Sequence, residues 1–160
     1  MTALNTTFYD LVLTVHILAV VVAFGVVFAY PIIDSQFRRS MPGNLAALHR
    51  LHVLLGQRLI TPAMTVVLVA GVYLALDRWR LDDPWIAATL AILIVIFGLS
   101  GAVLTPTDRR LAELAERDAA AGGKRSADYR REERKAAIFG SLALLLVIVA
   151  IFLMTAKPGL

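Results

Sequence analysis

Apolar residues along this chain fall into four long blocks separated by charged stretches. Leu11–Ile33, Leu59–Leu76, Pro84–Leu104 and Ala136–Ala156 hold a single ionisable side chain between them, His16. Each block approaches or reaches the roughly 17–25 residues that cross a bilayer core as a helix. None shows the strict apolar–polar alternation of a barrel strand, and in lipid only a helix or a closed barrel satisfies its own backbone. The pattern predicts an all-α integral membrane protein: an antiparallel four-helix bundle forming one domain over residues 1–160. The spans are placed at about 9–33, 53–76, 84–104 and 136–156, with a helical connection at 105–135. The second helix is expected to start ahead of its apolar part, because Leu45, Leu48, His52, Leu55 and Leu59 recur at helical spacing. Pro62 is expected to bend it.

Composition sharpens this picture. Of the 160 residues 59% are hydrophobic and 18% charged, so the charge is confined to the connections. "MTALNTTFYD" carries no Lys or Arg, and the apolar run after it exceeds a signal-peptide core, so the first block is read as a permanent span. There is no cysteine, which removes disulfides, thiolate ligands and cysteine nucleophiles. The net charge of +4 reflects basic residues beside the spans and suggests no nucleic-acid partner.

Those basic residues orient the chain. Between the first two spans lie Arg38, Arg39, Arg50 and Arg58. Between the last two lie Arg109, Arg110, Arg117, Lys124, Arg125, Arg130, Arg131, Arg134 and Lys135, against Arg78, Arg80 and Lys157 on the other side. The positive-inside rule then puts both longer connections in the cytoplasm and both termini outside it. Arg38, Arg39, Arg58, Arg130, Arg131, Arg134 and Lys135 are assigned to the lipid interface on the inner side. Trp79 and Trp85, bracketing "DRWRLDDPW", take that place on the outer side. Asp83 is expected to cap the third span and Asp128 the helix entering the fourth. "DRRLAELAERDAAA" reads as an interfacial helix with Leu111, Leu114 and Ala115 against lipid or a partner, ended by Gly122-Gly123. Small residues offer packing faces. Ala19 and Ala23 share the His16 stripe, Gly25 and Ala29 lie opposite, and Gly98/Ala102, Ala136/Gly140 and Ala137/Ser141 are spaced by four. No repeat between the two halves is visible.

Candidate chemistry is sparse. His16 lies about six residues, or ~9 Å, inside the outer end of its span. Intramembrane ionisable residues commonly face the protein interior and mark function. His16 is therefore the candidate cofactor ligand, for haem b. The competing structural role is a neutral ring bonded to a backbone carbonyl or to a hydroxyl such as Thr155. His49 and His52 sit near the inner interface, with Asp34 and Asp108 the only plausible companion donors. They are read as amphipathic positions, and no metal site is assigned. No Asp, Glu, Lys or Arg lies deep in a span, which speaks against a proton-driven transporter, and no nucleophile–base pair or phosphate loop is present.

The runs "VHILAVVVAFGVVFAYPII", "LITPAMTVVLVAGVYLAL" and "LTPTDRRLAELAE" resemble a bacterial domain-of-unknown-function family of four-helix integral membrane proteins. His16, Gly25 and Tyr30-Pro31 are more distantly similar to the first helix of the four-helix protoporphyrinogen oxidase and of copper-resistance membrane proteins. Similarity to the oxidase implies haem bound through His16. The chain lacks that family's intramembrane lysine and the tryptophan before Gly25, so oxidase activity is not expected. The expectation is a non-catalytic accessory or structural subunit, partnered by the bilayer and by other membrane subunits or its own copies. A haem- or porphyrin-binding redox protein using His16 is the alternative.

Overall fold

The computed structural model describes the backbone of residues 2–158 and the side chains of residues 8–158; Met1, Gly159 and Leu160 fall outside it. Six α-helices run in order: α1 (Thr2–Ser40), α2 (Leu45–Leu55), α3 (Thr61–Arg78), α4 (Pro84–Leu99), α5 (Thr105–Ala120) and α6 (Ala127–Ala156). Among the described residues there are no strands. Helices α2 and α3 form one continuous rod through a π-helical turn, Gly56–Ile60, and α4 and α5 form another through Ser100–Leu104. Four rods therefore have the length and apolarity to cross a membrane, and each runs beyond the span predicted for it. Side chains on their outer faces remain uncovered, among them Ile32 (73% exposed), Val69 (65%) and Ile94 (64%). In water such a girdle would be an aggregation surface; in a bilayer it is the lipid contact.

Both π turns precede a Thr-Pro pair, Thr61-Pro62 and Thr105-Pro106. Proline has no N–H to give and its ring crowds the carbonyl four residues back. A wider turn just upstream relieves that conflict without breaking the rod, and the Thr61 hydroxyl closes it on the Gly56 carbonyl at 2.8 Å. Pro62 thus acts through a widened turn. The two halves share a repeated device that apolar sequence concealed. The extra residue also rotates the buried stripe: Leu59, in helical register with the buried Leu45, Leu48 and His52, is 37% exposed, and Ile60 is 6% exposed.

Helix α1 lies along α3, and α4 along α6. The central core is Ala19, Ala23 and Phe24 against Ile60, Met64, Val67, Leu93, Ile96 and Val147. Ala19 and Ala23 are buried and Gly25 is exposed, as the stripe on the first span requires. Gly98 and Ala102 point outward, so that small-residue pair does not serve the chain's own bundle.

At the Arg-rich pole α2 packs on α5 and the start of α6, burying Leu45, Leu48, Leu111, Leu114, Ala115 and Tyr129. The α5 face expected to meet lipid or a partner is therefore covered by the chain itself. The reason is that α5 prolongs α4 along the bundle axis, rather than turning into the membrane plane. Gly122 and Gly123 end it at φ +103° and +80°, conformations that favour glycine. Ser126, and not Asp128, caps α6: its Oγ accepts the Tyr129 N–H at 3.1 Å. Asp83 occupies the position before Pro84, but its carboxylate turns back to accept the Arg80 N–H at 3.0 Å.

At the opposite pole Trp79 and Trp85 meet edge to face, with centroids 5.4 Å apart. The Lys157 ammonium lies 4.5 Å over the Trp79 ring, and the Arg78 guanidinium 3.7 Å over the Tyr9 ring. The start of α1, the end of α6 and the 79–83 loop therefore share one pole, as an even number of crossings demands.

Candidate functional site

His16 is 7% exposed and faces α3. Its Nδ1 donates to the Val67 carbonyl oxygen at 3.1 Å. The ring fits because residue 71 is glycine: a Cβ there would sit 3.1 Å from His16 Cε1. Of the structural partners considered for this ring, the carbonyl is the one used. The Thr155 hydroxyl bonds within its own helix, to the Ile151 and Phe152 carbonyls.

The richer constellation lies at the Arg-rich pole. His49 and His52, one helical turn apart on α2, are 5% and 7% exposed. Both face inward, toward Asp108 on α5 and Asp34 on α1. His49 Nδ1 is 3.2 Å from Asp108 Oδ1, and its Nε2 is 2.9 Å from the Tyr129 hydroxyl. His52 Nδ1 is 3.7 Å from the same Asp108 oxygen, and its Nε2 is 3.3 Å from Asp34 Oδ1. That last approach is close but misaligned, and both atoms are buried without a hydrogen bond. The Tyr30 ring lies 4.2 Å from the His52 ring, with its hydroxyl likewise buried and unpartnered. Arg38 joins the edge of the group, 3.4 Å from Glu133 and 4.0 Å from Asp34.

The two π turns make this convergence. His52 lies four residues before Gly56 and Asp108 four after Leu104, so each turn sets the rotation of the polar helix relative to its apolar continuation. Such turns recur at functional sites in helices. Burial pushes the Asp108 carboxyl up, but the hydrogen bond from His49 and the nearby imidazole of His52 more than offset it and hold it below the ordinary carboxylate range.

Above the cluster opens a cavity of about 280 Å³. Asp34, His52, Asp108 and Glu133 form its polar base, while Phe24, Met64, Ile96, Leu144 and Val147 line its apolar depth. Gly140 and Ser141 of α6 leave it room.

The residues assigned to the lipid interface divide. Arg39, Arg58, Arg131 and Arg134 are exposed. Lys135 reaches Glu132 at 3.7 Å, and Arg130 donates to the Arg125 carbonyl at 2.6 Å. Arg38 instead turns into the cluster, and Trp85 is only 9% exposed, packed against Trp79 and Ile86. Sequence reasoning does not single out Tyr129 and Glu133, because Glu133 lies within the charged run "RREERK" and Tyr129 directly before it. The signal available was that Tyr129 and Glu133 are spaced by four on one face of α6.

The profile of a family described as "Predicted integral membrane protein (DUF2269)" matches residues 10–158. The chain belongs to this family. The match takes in all four membrane-length rods and every residue of the cluster, so the polar pole is part of the family's unit and no appendage to it. No curated protein and no solved structure matches the chain.

Proposed function

We propose that this protein is a non-catalytic accessory subunit of a bacterial cytoplasmic membrane, which holds a lipid-soluble, polar-headed ligand inside its bundle. The observation that carries this reading is a cavity running from an ionisable base into an apolar depth among the spanning helices. Its size lies near the lower end of the ~300–1,000 Å³ of small-molecule sites. The ligand's apolar part lies among Phe24, Met64 and Val147, and its polar head meets Tyr30, His52 and Asp34, whose unpartnered polar atoms await hydrogen bonds. The positive-inside rule puts this base at the cytoplasmic side. The exposed Gly25 and Gly98 faces, with nothing within 4 Å of a built Cβ, suit contact with a neighbouring subunit.

The test is to purify the full chain in mild detergent and identify co-purifying lipid-soluble compounds by mass spectrometry, for wild type and Gly140→Leu. A Cβ at Gly140 meets no atom within 4 Å, so the larger side chain can enter the cavity without disrupting the helix. A bound compound lost in Gly140→Leu supports the reading; identical extracts from both proteins overturn it.

One observation favours haem on His16 as a second reading. With Nδ1 donating to Val67, Nε2 carries the lone pair, the arrangement that metal-ligating histidines use. A Soret band that His16→Ala abolishes would select it.

A further inference from the structure

We propose that His49, His52 and Asp108 bind one divalent first-row transition-metal ion, with Tyr129 and Asp34 as positioning residues. The donor atoms of the three ligands all lie within 4.8 Å of one another. Around an ion held at ~2.0–2.2 Å, tetrahedrally arranged N and O donors stand ~3.3–3.5 Å apart. The separations from Asp108 Oδ1, 3.2 Å to His49 and 3.7 Å to His52, bracket that spacing.

The outer nitrogens argue the same way. His49 Nε2 is engaged by the Tyr129 hydroxyl and His52 Nε2 faces the Asp34 carboxylate. When each outer nitrogen carries the proton, both Nδ1 lone pairs converge on one anionic oxygen. Without an ion the other tautomer donates Nδ1–H to Asp108, as the 3.2 Å contact from His49 allows. A divalent ion at the convergence takes both lone pairs and the carboxylate oxygen, and it uses the outer arrangement that orients metal-bound imidazoles.

A second observation is independent of this spacing. Asp34 Oδ1 and His52 Nε2 are buried, 3.3 Å apart, and still make no hydrogen bond. The His52 ring is thus held near its place without being locked, and ligation through Nδ1 supplies the missing constraint. Two imidazoles and a carboxylate suit zinc, cobalt, manganese or ferrous iron; with no cysteine in the chain a thiolate-dependent soft ion has no ligand. The ligands come from α2 and α5 and their supports from α1 and α6, so one ion ties all four rods together at this pole. The site does not depend on a lipid-soluble ligand in the cavity above it.

The test uses the full-length protein in detergent, stripped with chelator and titrated with Co²⁺ while the visible ligand-field absorption is followed, with Zn²⁺ as competitor. One Co²⁺ per chain, displaced by Zn²⁺, is expected. Asp108→Asn and His49→Ala should abolish the band. Tyr129→Phe and Asp34→Asn should keep the one-to-one stoichiometry with affinity lowered ~10–100-fold, the usual effect of losing such a support. His16→Gln and Gly140→Leu should bind Co²⁺ as wild type does, the latter separating this site from the ligand cavity. Should the ligand variants fail to fold, the graded loss in Tyr129→Phe and Asp34→Asn decides. No visible band, or undiminished Co²⁺ binding in Tyr129→Phe and Asp34→Asn alike, leaves only a hydrogen-bonded ion network and overturns the proposal.

Discussion

His16 and Gly71 interlock: the imidazole occupies the space that a side chain on residue 71 would need, with His16 Cε1 3.1 Å from the position of a Cβ there. The same ring donates to Val67 one turn earlier on α3, so a polar group in an apolar setting has both a partner and a berth.

This interlock predicts coupled substitutions. Gly71→Leu should overpack the α1–α3 contact and cost about 1–3 kcal/mol. His16→Ala should recover part of that loss in the double variant, by emptying the space the leucine needs. Thermal unfolding of the two single variants and the double in detergent measures the coupling. Strictly additive effects would show that the two residues do not share the space.

A second prediction concerns the Arg-rich pole. Leu111 and Leu114 are 1% and 2% exposed within the layer that α5 forms with α2 and Tyr129. Leu111→Ala should cost about 2–5 kcal/mol, as buried leucine truncations do. The Leu111→Asp/Leu114→Asp pair should free α5 while the apolar spans still insert, so limited proteolysis near Gly122-Gly123 should speed up. Unchanged cleavage would mean that α5 is held by something other than this layer.

Acid should loosen the same pole through Asp118. Its carboxylate accepts the Ser126 N–H at 2.7 Å, and that bond chiefly holds its pKa below the ordinary carboxylate value, against a smaller opposing effect of desolvation. A carboxyl depressed in the folded state contributes stability above its unfolded pKa, and this is lost as pH falls through the folded value. Unfolding midpoints of wild type should therefore drop on acidification below about pH 4, and those of Asp118→Asn should drop less. Parallel curves for the two proteins would rule Asp118 out as a contributor.

The charge asymmetry makes a topological prediction. Thirteen Lys and Arg in the two longer connections, against Arg78, Arg80 and Lys157 at the other pole, predict that the α5–α6 turn lies in the cytoplasm. Reporters sensitive to compartment, fused at Gly123 and at the C-terminus, should give opposite signals. A cytoplasmic signal from the C-terminal fusion would reverse the orientation.

How much of this was legible beforehand depends on the range of the interaction. The four rods, the inward stripe of His16, Ala19 and Ala23, and the glycine stop at 122–123 follow from local composition and helical period, and all appear in the structure. Helical spacing puts Leu59 in register with Leu45, Leu48 and His52, but it assumes one uniform helix, and the π turn at Gly56–Ile60 rotates everything beyond it. Leu111 and Leu114 read as facing lipid or a partner because an amphipathic stripe shows only that one face is covered, and not by what. Asp128 was chosen as a cap by residue type, whereas the preceding loop geometry gave that role to Ser126.

The sequence by itself determined that the chain lives in a membrane, since blocks of apolar residue of this length have no other stable setting. It offered His16 as the one candidate ligand and read His49 and His52 as amphipathic positions, with Asp34 and Asp108 the only companion donors. Only the tertiary structure decided how they are grouped. It leaves His16 with a backbone carbonyl and a glycine, and gathers the other four with Tyr129, from helices far apart in the chain. The physical reason is rotation about helix axes: the two widened turns before Thr-Pro set which faces of α2 and α5 meet, a long-range outcome that no local pattern encodes.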